Sequence, residues 1–137
     1  MPAVSSRVEF DVAELRRHFN LFVYGTLRRD GKAASVLRAC EHVGTGEVGG
    51  VLYSIEGEYP ALVLYGNSLV SGEIWRCPNE LLGTIDAYEG VDEGLFRRVG
   101  VRVRTESQAG LPCWTYVAGP ALSRKLLPTR RIAHWPV

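Results

Sequence analysis

The chain has 137 residues and a mass of 15.1 kDa, which is the usual size of one domain. Hydrophobic residues make up 46% of it and charged residues 23%, a globular composition that excludes a disordered chain or a coiled coil. Sixteen Lys and Arg residues against fifteen Asp and Glu residues leave a formal charge of +1, without the basic excess of a nucleic-acid-binding protein. We therefore expect a single domain over residues 1–137 and no nucleic-acid partner.

The cysteines and the N-terminal segment bear on the compartment. Three widely spaced cysteines, Cys40, Cys77 and Cys113, form neither a disulfide framework nor a metal-ligand pattern, and are typical of buried or inert thiols in a reducing compartment. The N-terminal stretch is charged and has no apolar run that would make a signal peptide or a membrane span. The three separated histidines offer no metal-ligand spacing. The sequence thus predicts a cytoplasmic protein with no membrane partner and no metal.

Two elements are predicted near the N-terminus. Asp11 and Glu14 resemble a capping box, which predicts a short helix that ends near Phe19. The apolar run Leu21–Tyr24 follows and is stopped by Gly25. This pattern predicts a buried strand that ends in a turn.

The middle of the chain alternates between helix and strand patterns. Residues 33–40 have apolar side chains at helical spacing, which predicts a helix of about two turns. From 42 to 65, glycines interrupt β-branched and aromatic residues, which indicates curved or bulged strands. Leu69–Arg76 alternates as a strand does. Pro78 then begins the best-marked helix, which Gly90 ends and whose apolar stripe is Leu81, Leu82, Ile85 and Tyr88.

The C-terminal part predicts a hairpin. Phe96–Thr105 alternates between valines on one face and mostly arginines on the other, and Cys113–Val117 is an aromatic-rich strand that can pair with it. Leu122–Leu127 can form one helical turn, whereas two prolines make the last ten residues a poor helix or central strand. These elements predict an α+β fold in which a curved, mixed or antiparallel sheet packs against two principal helices.

Glu89 stands out among the ionisable residues because it lies at the end of the best-marked helix. Unpaired carbonyls at a helix C-terminus disfavour a carboxylate there. If the side chain is also shielded from water, both effects raise its pKa toward the range of a general acid or base. From the residues alone, the alternative is a solvated helix-end carboxylate paired with Arg97 or Arg98.

A series of motifs resembles the gamma-glutamylcyclotransferase-like family, also called AIG2-like, which includes gamma-glutamylamine cyclotransferases. The motifs occur in order over about residues 20 to 118, and they are Leu21–Arg28, Glu58–Val63, Val70–Trp75, Asp86–Gly90, Phe96–Arg98 and Trp114–Val117. The resemblance implies a barrel-like sheet. It also implies that the loop Tyr24, Gly25, Thr26 and Leu27 binds the gamma-glutamyl part of the substrate, and that Glu89 is the catalytic acid and base.

The implied reaction needs neither an enzyme nucleophile nor a cofactor. The alpha-amine of a small gamma-glutamyl substrate attacks its own gamma-carbonyl, which closes 5-oxoproline and releases an amine. Glu89 takes a proton from the alpha-ammonium and gives a proton to the leaving amine. Amides exposed after Gly25 can hold a carboxylate or an oxyanion, and Thr26 adds a hydroxyl.

Alternatives remain for several of these residues. Residues 24–27 also fit a plain turn with Tyr24 in the core, and Tyr59 and Tyr116, which can lend hydroxyls to a pocket, also fit core positions. A binding module of the same fold that does not turn over its ligand is the alternative function. The leaving amine is left open among gamma-glutamyl amines, amino acids and isopeptides.

Two departures from the family pattern are visible. Members often have a tyrosine near the position of Phe96, so a hydroxyl facing the substrate is expected to be missing. The first twenty residues and the tail after Gly119 have no family counterpart that we can place. For these segments we expect a role at the pocket edge or in self-association, for example as a homodimer.

Overall fold

A computed structural model of the chain describes residues 17–25, 34–55, 59–123 and 130–132. Within them, eight strands are β1 His18–Val23, β2 Glu41–Gly49, β3 Val51–Ile55, β4 Tyr59–Val63, β5 Leu69–Pro78, β6 Phe96–Val103, β7 Leu111–Ala118 and β8 Arg130–Ile132. The α-helices of these ranges are α1 Leu82–Tyr88 and α2 Pro120–Ser123. Two 3-10 turns cover Ala34–Leu37 and Asn79–Leu81, the second of which leads directly into α1.

The strands form one curled sheet in the order β2-β5-β1-β7-β4-β3-β8, with β6 paired to β7. Most neighbours are antiparallel, but β7 is parallel to both β1 and β4. The curl brings β2 back to the end of β6, where the backbones of Glu47 and Arg104 exchange two hydrogen bonds of 2.9 Å. Their side chains form an ion pair of 2.6 Å at the same place. The predicted α+β class with a curved, barrel-like sheet is confirmed.

Strand β1 is buried on both faces, which explains its unbroken apolar sequence. Leu21 and Val23 belong to a core cluster that includes Ile85 of α1, whereas Phe22 and Tyr24 belong to a second cluster among the strands. A strand with a core on each side requires a continuous apolar run instead of alternation. The predicted strand before Gly25 is confirmed.

Two predicted helices fall differently in the structure. Most of the predicted N-terminal helix lies outside the described residues, but Arg17 is helical and β1 begins at His18, so the helix ends close to Phe19, which itself lies in β1 opposite Cys77. The helix predicted over 33–40 is a single 3-10 turn, Ala34–Leu37. The chain passes from this turn through Cys40 directly into β2, which leaves no room for a second helical turn.

The predicted helix after Pro78 and the predicted hairpin are confirmed, and of the helical turn predicted over 122–127 only residues 122 and 123 lie in the described ranges, where they belong to α2. Helix α1 follows Pro78, and Ile85 is the fully buried member of its stripe, while Tyr88 is 47% exposed. Strands β6 and β7 form the predicted antiparallel hairpin. In the described ranges, no helix is long and apolar enough to cross a membrane, and no three His, Cys, Asp or Glu side chains are grouped to hold a metal ion.

Candidate active site

A cavity of about 220 Å³ lies between the end of β1, the start of β4, the β6–β7 hairpin and the end of α1. It is lined by five of the residues singled out in the sequence, namely Tyr24, Gly25, Tyr59, Glu89 and Tyr116. The other two, Thr26 and Leu27, lie outside the described residues. The remaining wall is almost entirely apolar or aromatic and consists of Phe22, Val23, Pro60, Tyr88, Leu95 and Phe96.

The backbone of Glu89 is fixed at the end of helix α1 by a glycine-terminated cap. The N–H of Gly90 donates to the carbonyl of Ala87, and the N–H of Val91 donates to the carbonyl of Asp86, both at 3.1 Å. Gly90 has a φ of 68°, the left-handed conformation that this Schellman arrangement requires. Glu89 itself keeps a helical conformation as the last residue before the turn. The cap therefore places its side chain reproducibly against the cavity.

The Glu89 carboxyl is partly shielded from water, and this burial raises its pKa from 4.5 to about 7. Among the described residues, no cation pairs with it. Arg98, one of the partners considered from the sequence, pairs with Asp86 instead, at 3.0 Å. Burial is the physical cause of the raised pKa. The carbonyls at the helix end were also expected to raise it, but the cap hydrogen-bonds two of them, those of Asp86 and Ala87.

Asp86 accepts two hydrogen bonds one turn before Glu89. Arg98 donates to its Oδ1 from Nε at 3.0 Å, and Tyr116 donates to the same oxygen from its hydroxyl at 2.5 Å. The guanidinium of Arg98 also lies 4.5 Å from the ring centre of Trp114, a cation–π contact. Burial, followed by the Asp86 hydrogen bond and nearby carboxylates, raises the pKa of Tyr116, so its hydroxyl stays protonated and remains a donor.

Sequence reasoning missed the role of Asp86. The signal was present in the predicted hairpin, because its register places Arg98 directly opposite Tyr116. Long side chains on opposite residues of one sheet face reach a common partner. A helix packed over that face supplies the carboxylate that both of them contact.

Tyr24 holds together a fork in the sheet. Strand β6 pairs with one edge of β7, and two strands share the other edge. Strand β1 pairs there at Trp114 and β4 at Val117, and the fork is the place where these two strands diverge. The Tyr24 hydroxyl donates to the carbonyl of Tyr116 and accepts from the N–H of Leu62 at 3.1 Å. It thus pairs two buried backbone groups that the fork would leave unsatisfied. The hydroxyl proton of Tyr24 is therefore used in a hydrogen bond that holds the sheet together.

Close packing shapes the cavity wall near this fork. A Cβ atom on Gly25 would lie 2.7 Å from Cγ of Pro60, so only glycine lets the end of β1 approach β4 so closely. The rings of Tyr59 and Phe96 lie 6.1 Å apart on the cavity wall. Phe96 is 9% exposed and lines the cavity, so the hydroxyl of a tyrosine at this position is absent from the wall.

Comparison with known proteins identifies the family. The sequence model of the family described as gamma-glutamyl cyclotransferase, AIG2-like, matches residues 21–136. The chain belongs to this family. The match confirms the resemblance and extends beyond it, because the tail after Gly119, which we could not place from the sequence, has a counterpart in the family. Membership supports an activity of the cyclotransferase kind.

Solved structures share the fold. A crystal structure of an AIG2-like protein from Mus musculus is 21% identical and has a TM-score of 0.76, over 88% of this chain and 89% of that chain. A structure described as a gamma-glutamyl cyclotransferase is 16% identical, with a TM-score of 0.60 over 74% and 66%. A protein from Arabidopsis thaliana is 22% identical, with a TM-score of 0.65 over 81% and 75%. Comparison with curated proteins gives no significant match.

Proposed function

We propose that the protein is a gamma-glutamyl cyclotransferase that releases 5-oxoproline and an amine from a small gamma-glutamyl amine, amino acid or isopeptide. The observation that carries this proposal is the carboxyl group of Glu89, which lines the cavity with a pKa of about 7 and pairs with no described cation. A general acid and base works best when its pKa lies near the operating pH. Family membership and a similar structure described as a gamma-glutamyl cyclotransferase support the same kind of activity.

The cavity suits the glutamyl part of such a substrate. Its volume of about 220 Å³ is small for a binding pocket, which favours one short chain over a nucleotide or a folded peptide. Glu89 is the only charged residue among the described members of the wall, so a ligand with an ammonium group next to it supplies the missing counter-charge. The alpha-ammonium of a gamma-glutamyl substrate fits this position.

Glu89 would move protons in both halves of the reaction. As a carboxylate it takes a proton from the alpha-ammonium, and the free amine then attacks the gamma-carbonyl carbon. The new carbon–nitrogen bond closes the five-membered ring, and the carbonyl oxygen carries the negative charge of the intermediate. When the bond to the leaving nitrogen breaks, Glu89 gives its proton to that nitrogen. The second proton of the ring nitrogen follows the same route, which leaves 5-oxoproline and a protonated amine.

The wall residues would hold the substrate in the conformation that cyclises. Folding the glutamyl chain back on itself removes rotational freedom before the barrier is reached. Gly25 lines the cavity, and we expect its backbone amide to hold the substrate carboxylate or the oxyanion. Tyr24 and Tyr116 keep this wall rigid, since their hydroxyl protons are bound to Tyr116 and Asp86, respectively.

The test is release of 5-oxoproline, measured by mass spectrometry, from a panel of gamma-glutamyl amines, amino acids and the lysine isopeptide. Wild type is compared with Glu89→Gln and with Glu93→Gln, a matched change at an exposed glutamate in the following turn. We expect release by wild type and Glu93→Gln, and release at least about a hundred-fold slower by Glu89→Gln. Binding of panel members without release by folded wild type would overturn the proposal in favour of a binding module.

A further inference from the structure

Cys40 and Cys77 lie next to each other although they are far apart in the sequence. Strands β2 and β5 are antiparallel, with Glu41 opposite Arg76, so the next pair in the same register is Cys40 and Cys77. Directly opposite residues of an antiparallel pair have Cα atoms about 4.5 to 5.5 Å apart, which lies within the range that disulfides span. The two thiols are also hydrogen-bonded to each other.

The two thiols differ in exposure and in acidity. Cys77 is fully buried in the core cluster of Leu21 and Ile85, whereas Cys40 packs against the edge of that cluster and is partly exposed. The hydrogen bond from Cys77 lowers the pKa of Cys40, while the same bond and burial raise the pKa of Cys77. A partly exposed thiol of lowered pKa with a second thiol in contact is the usual arrangement of an attacking and a resolving cysteine.

We propose that Cys40 and Cys77 are an oxidisable dithiol that a low-molecular-weight disulfide, such as glutathione disulfide, converts into a cross-strand disulfide. The Cys40 thiolate attacks one sulfur of the oxidant, which releases one thiol and leaves a mixed disulfide on Cys40. The Cys77 thiol then gives up its proton and attacks the Cys40 sulfur, which releases the second thiol. Two protein thiols are oxidised by two electrons in total, and one molecule of oxidant is reduced to two thiols.

The bond would tie the start of β2 to the end of β5. This covalent tie restricts the unfolded chain between the two residues and thereby stabilises the folded protein. The disulfide would also lie in the core cluster that contains Ile85, and Ile85 is the residue of helix α1 one turn before Glu89. Cys113 provides an internal control, because it is also buried but belongs to the other core cluster. Burial raises its pKa to about 12, so it is expected to react slowly.

The experiment exposes the reduced full chain to glutathione disulfide, alkylates the remaining thiols after unfolding, and maps the peptides without reduction by mass spectrometry. We expect one cross-linked peptide pair that contains Cys40 and Cys77, with Cys113 alkylated. Cys113→Ala should form the same bond, and Cys40→Ser should form none. Cys77→Ala should stop at a mixed disulfide on Cys40. The melting temperature of wild type and Cys113→Ala should rise by several degrees on oxidation, and dithiothreitol should reverse the rise.

Three results would overturn the proposal. Alkylation of both Cys40 and Cys77, under conditions that oxidise a reference dithiol, would show that the pair does not react. A stable mixed disulfide on Cys40 in wild type would show that Cys77 does not resolve it. A bond to Cys113 would show that the register does not determine the pairing. None of these readouts depends on the proposed enzymatic activity. If Cys77→Ala does not fold, Cys40→Ser still tests the pair, because Cys40 lies outside the buried core.

Discussion

Asp86 and Glu89 lie one turn apart at the end of helix α1, yet their surroundings are opposite. Asp86 faces the β6–β7 hairpin, where Arg98 and Tyr116 both donate to it. Glu89 faces the cavity, where burial raises its pKa to about 7 and no described cation compensates its charge. Enzymes that use two carboxyl groups for different tasks separate them by environment in this way. The difference assigns a structural task to one and leaves the other available for proton transfer.

The sharpest test of this comparison is the rate of the Glu89→Gln variant. The amide keeps the size and shape of the side chain but carries no exchangeable proton of suitable acidity. We expect kcat for 5-oxoproline release to fall by about 10²- to 10⁴-fold with little change in KM. The matched Asp86→Asn variant should retain kcat within about ten-fold, because its side chain does not line the cavity. Equal losses in both variants would contradict the division of tasks.

The same Glu89→Gln change is expected to stabilise the protein at alkaline pH. The unfolded carboxyl ionises near its ordinary pKa of 4.5 and the folded one near 7, so stability is lost as the pH rises through this window. Above the window the loss reaches about 3 kcal/mol, which the neutral amide does not incur. Urea unfolding should therefore find the variant more stable than wild type at about pH 8 and equal to it at about pH 4. A difference that is independent of pH would contradict this assignment.

Asp86→Asn should destabilise the fold, in contrast to the change at Glu89. Both hydrogen bonds to Asp86 lose their charged acceptor, and the expected cost is about 2 kcal/mol in the free energy of unfolding. Urea unfolding at about pH 8 measures it, with Asp92→Asn as a control at an exposed aspartate. A loss no larger than that of the control would show that the network does not stabilise the hairpin against α1.

The smallest expected effect tests whether the two carboxylates influence each other. In wild type, kcat/KM should rise with pH through about 7, because the ionised form of Glu89 is the proposed base. Arg98→Met keeps an apolar contact with Trp114 but removes the cation beside Asp86. The uncompensated charge of Asp86 should disfavour ionisation of Glu89 and shift the rise in kcat/KM to a pH that is higher by about 0.3 to 0.5 units. A rise that stays at the same pH or moves to a lower one would show that Asp86 and Glu89 ionise independently.

Much of the fold could be predicted from the sequence because local patterns determine it. The apolar run before Gly25 gives β1, the alternation after Phe96 gives the β6–β7 hairpin, and the stripe between Pro78 and Gly90 gives α1. Glu89 could be singled out for the same reason, since a glycine in the left-handed conformation marks the end of its helix. Its place on the cavity wall depends on the packing of distant elements.

The features that could not be predicted depend on register and topology. The parallel contacts of β7 with β1 and β4, and hence the fork that Tyr24 holds, join segments with no local signal for each other. Cys40 and Cys77 looked like separate inert thiols in the sequence, and only the β2–β5 register brings them together. Residues 33–40 have helical spacing, but only one 3-10 turn forms before β2 begins at Glu41 and pairs with β5. In each case a long-range contact outweighs the local preference.

The fork at Tyr24 also determines when the site can exist. Its hydroxyl joins Tyr24 to Tyr116, 92 positions later in the chain, and contacts of such long range form slowly because a long segment must first be ordered. A protein is synthesised from its N-terminus, so β1, β4 and Glu89 leave the ribosome before β7. The wall contributed by Tyr116 is missing until then. A nascent chain that lacks β7 therefore has every proton-carrying group of the proposed reaction and no cavity in which to use it.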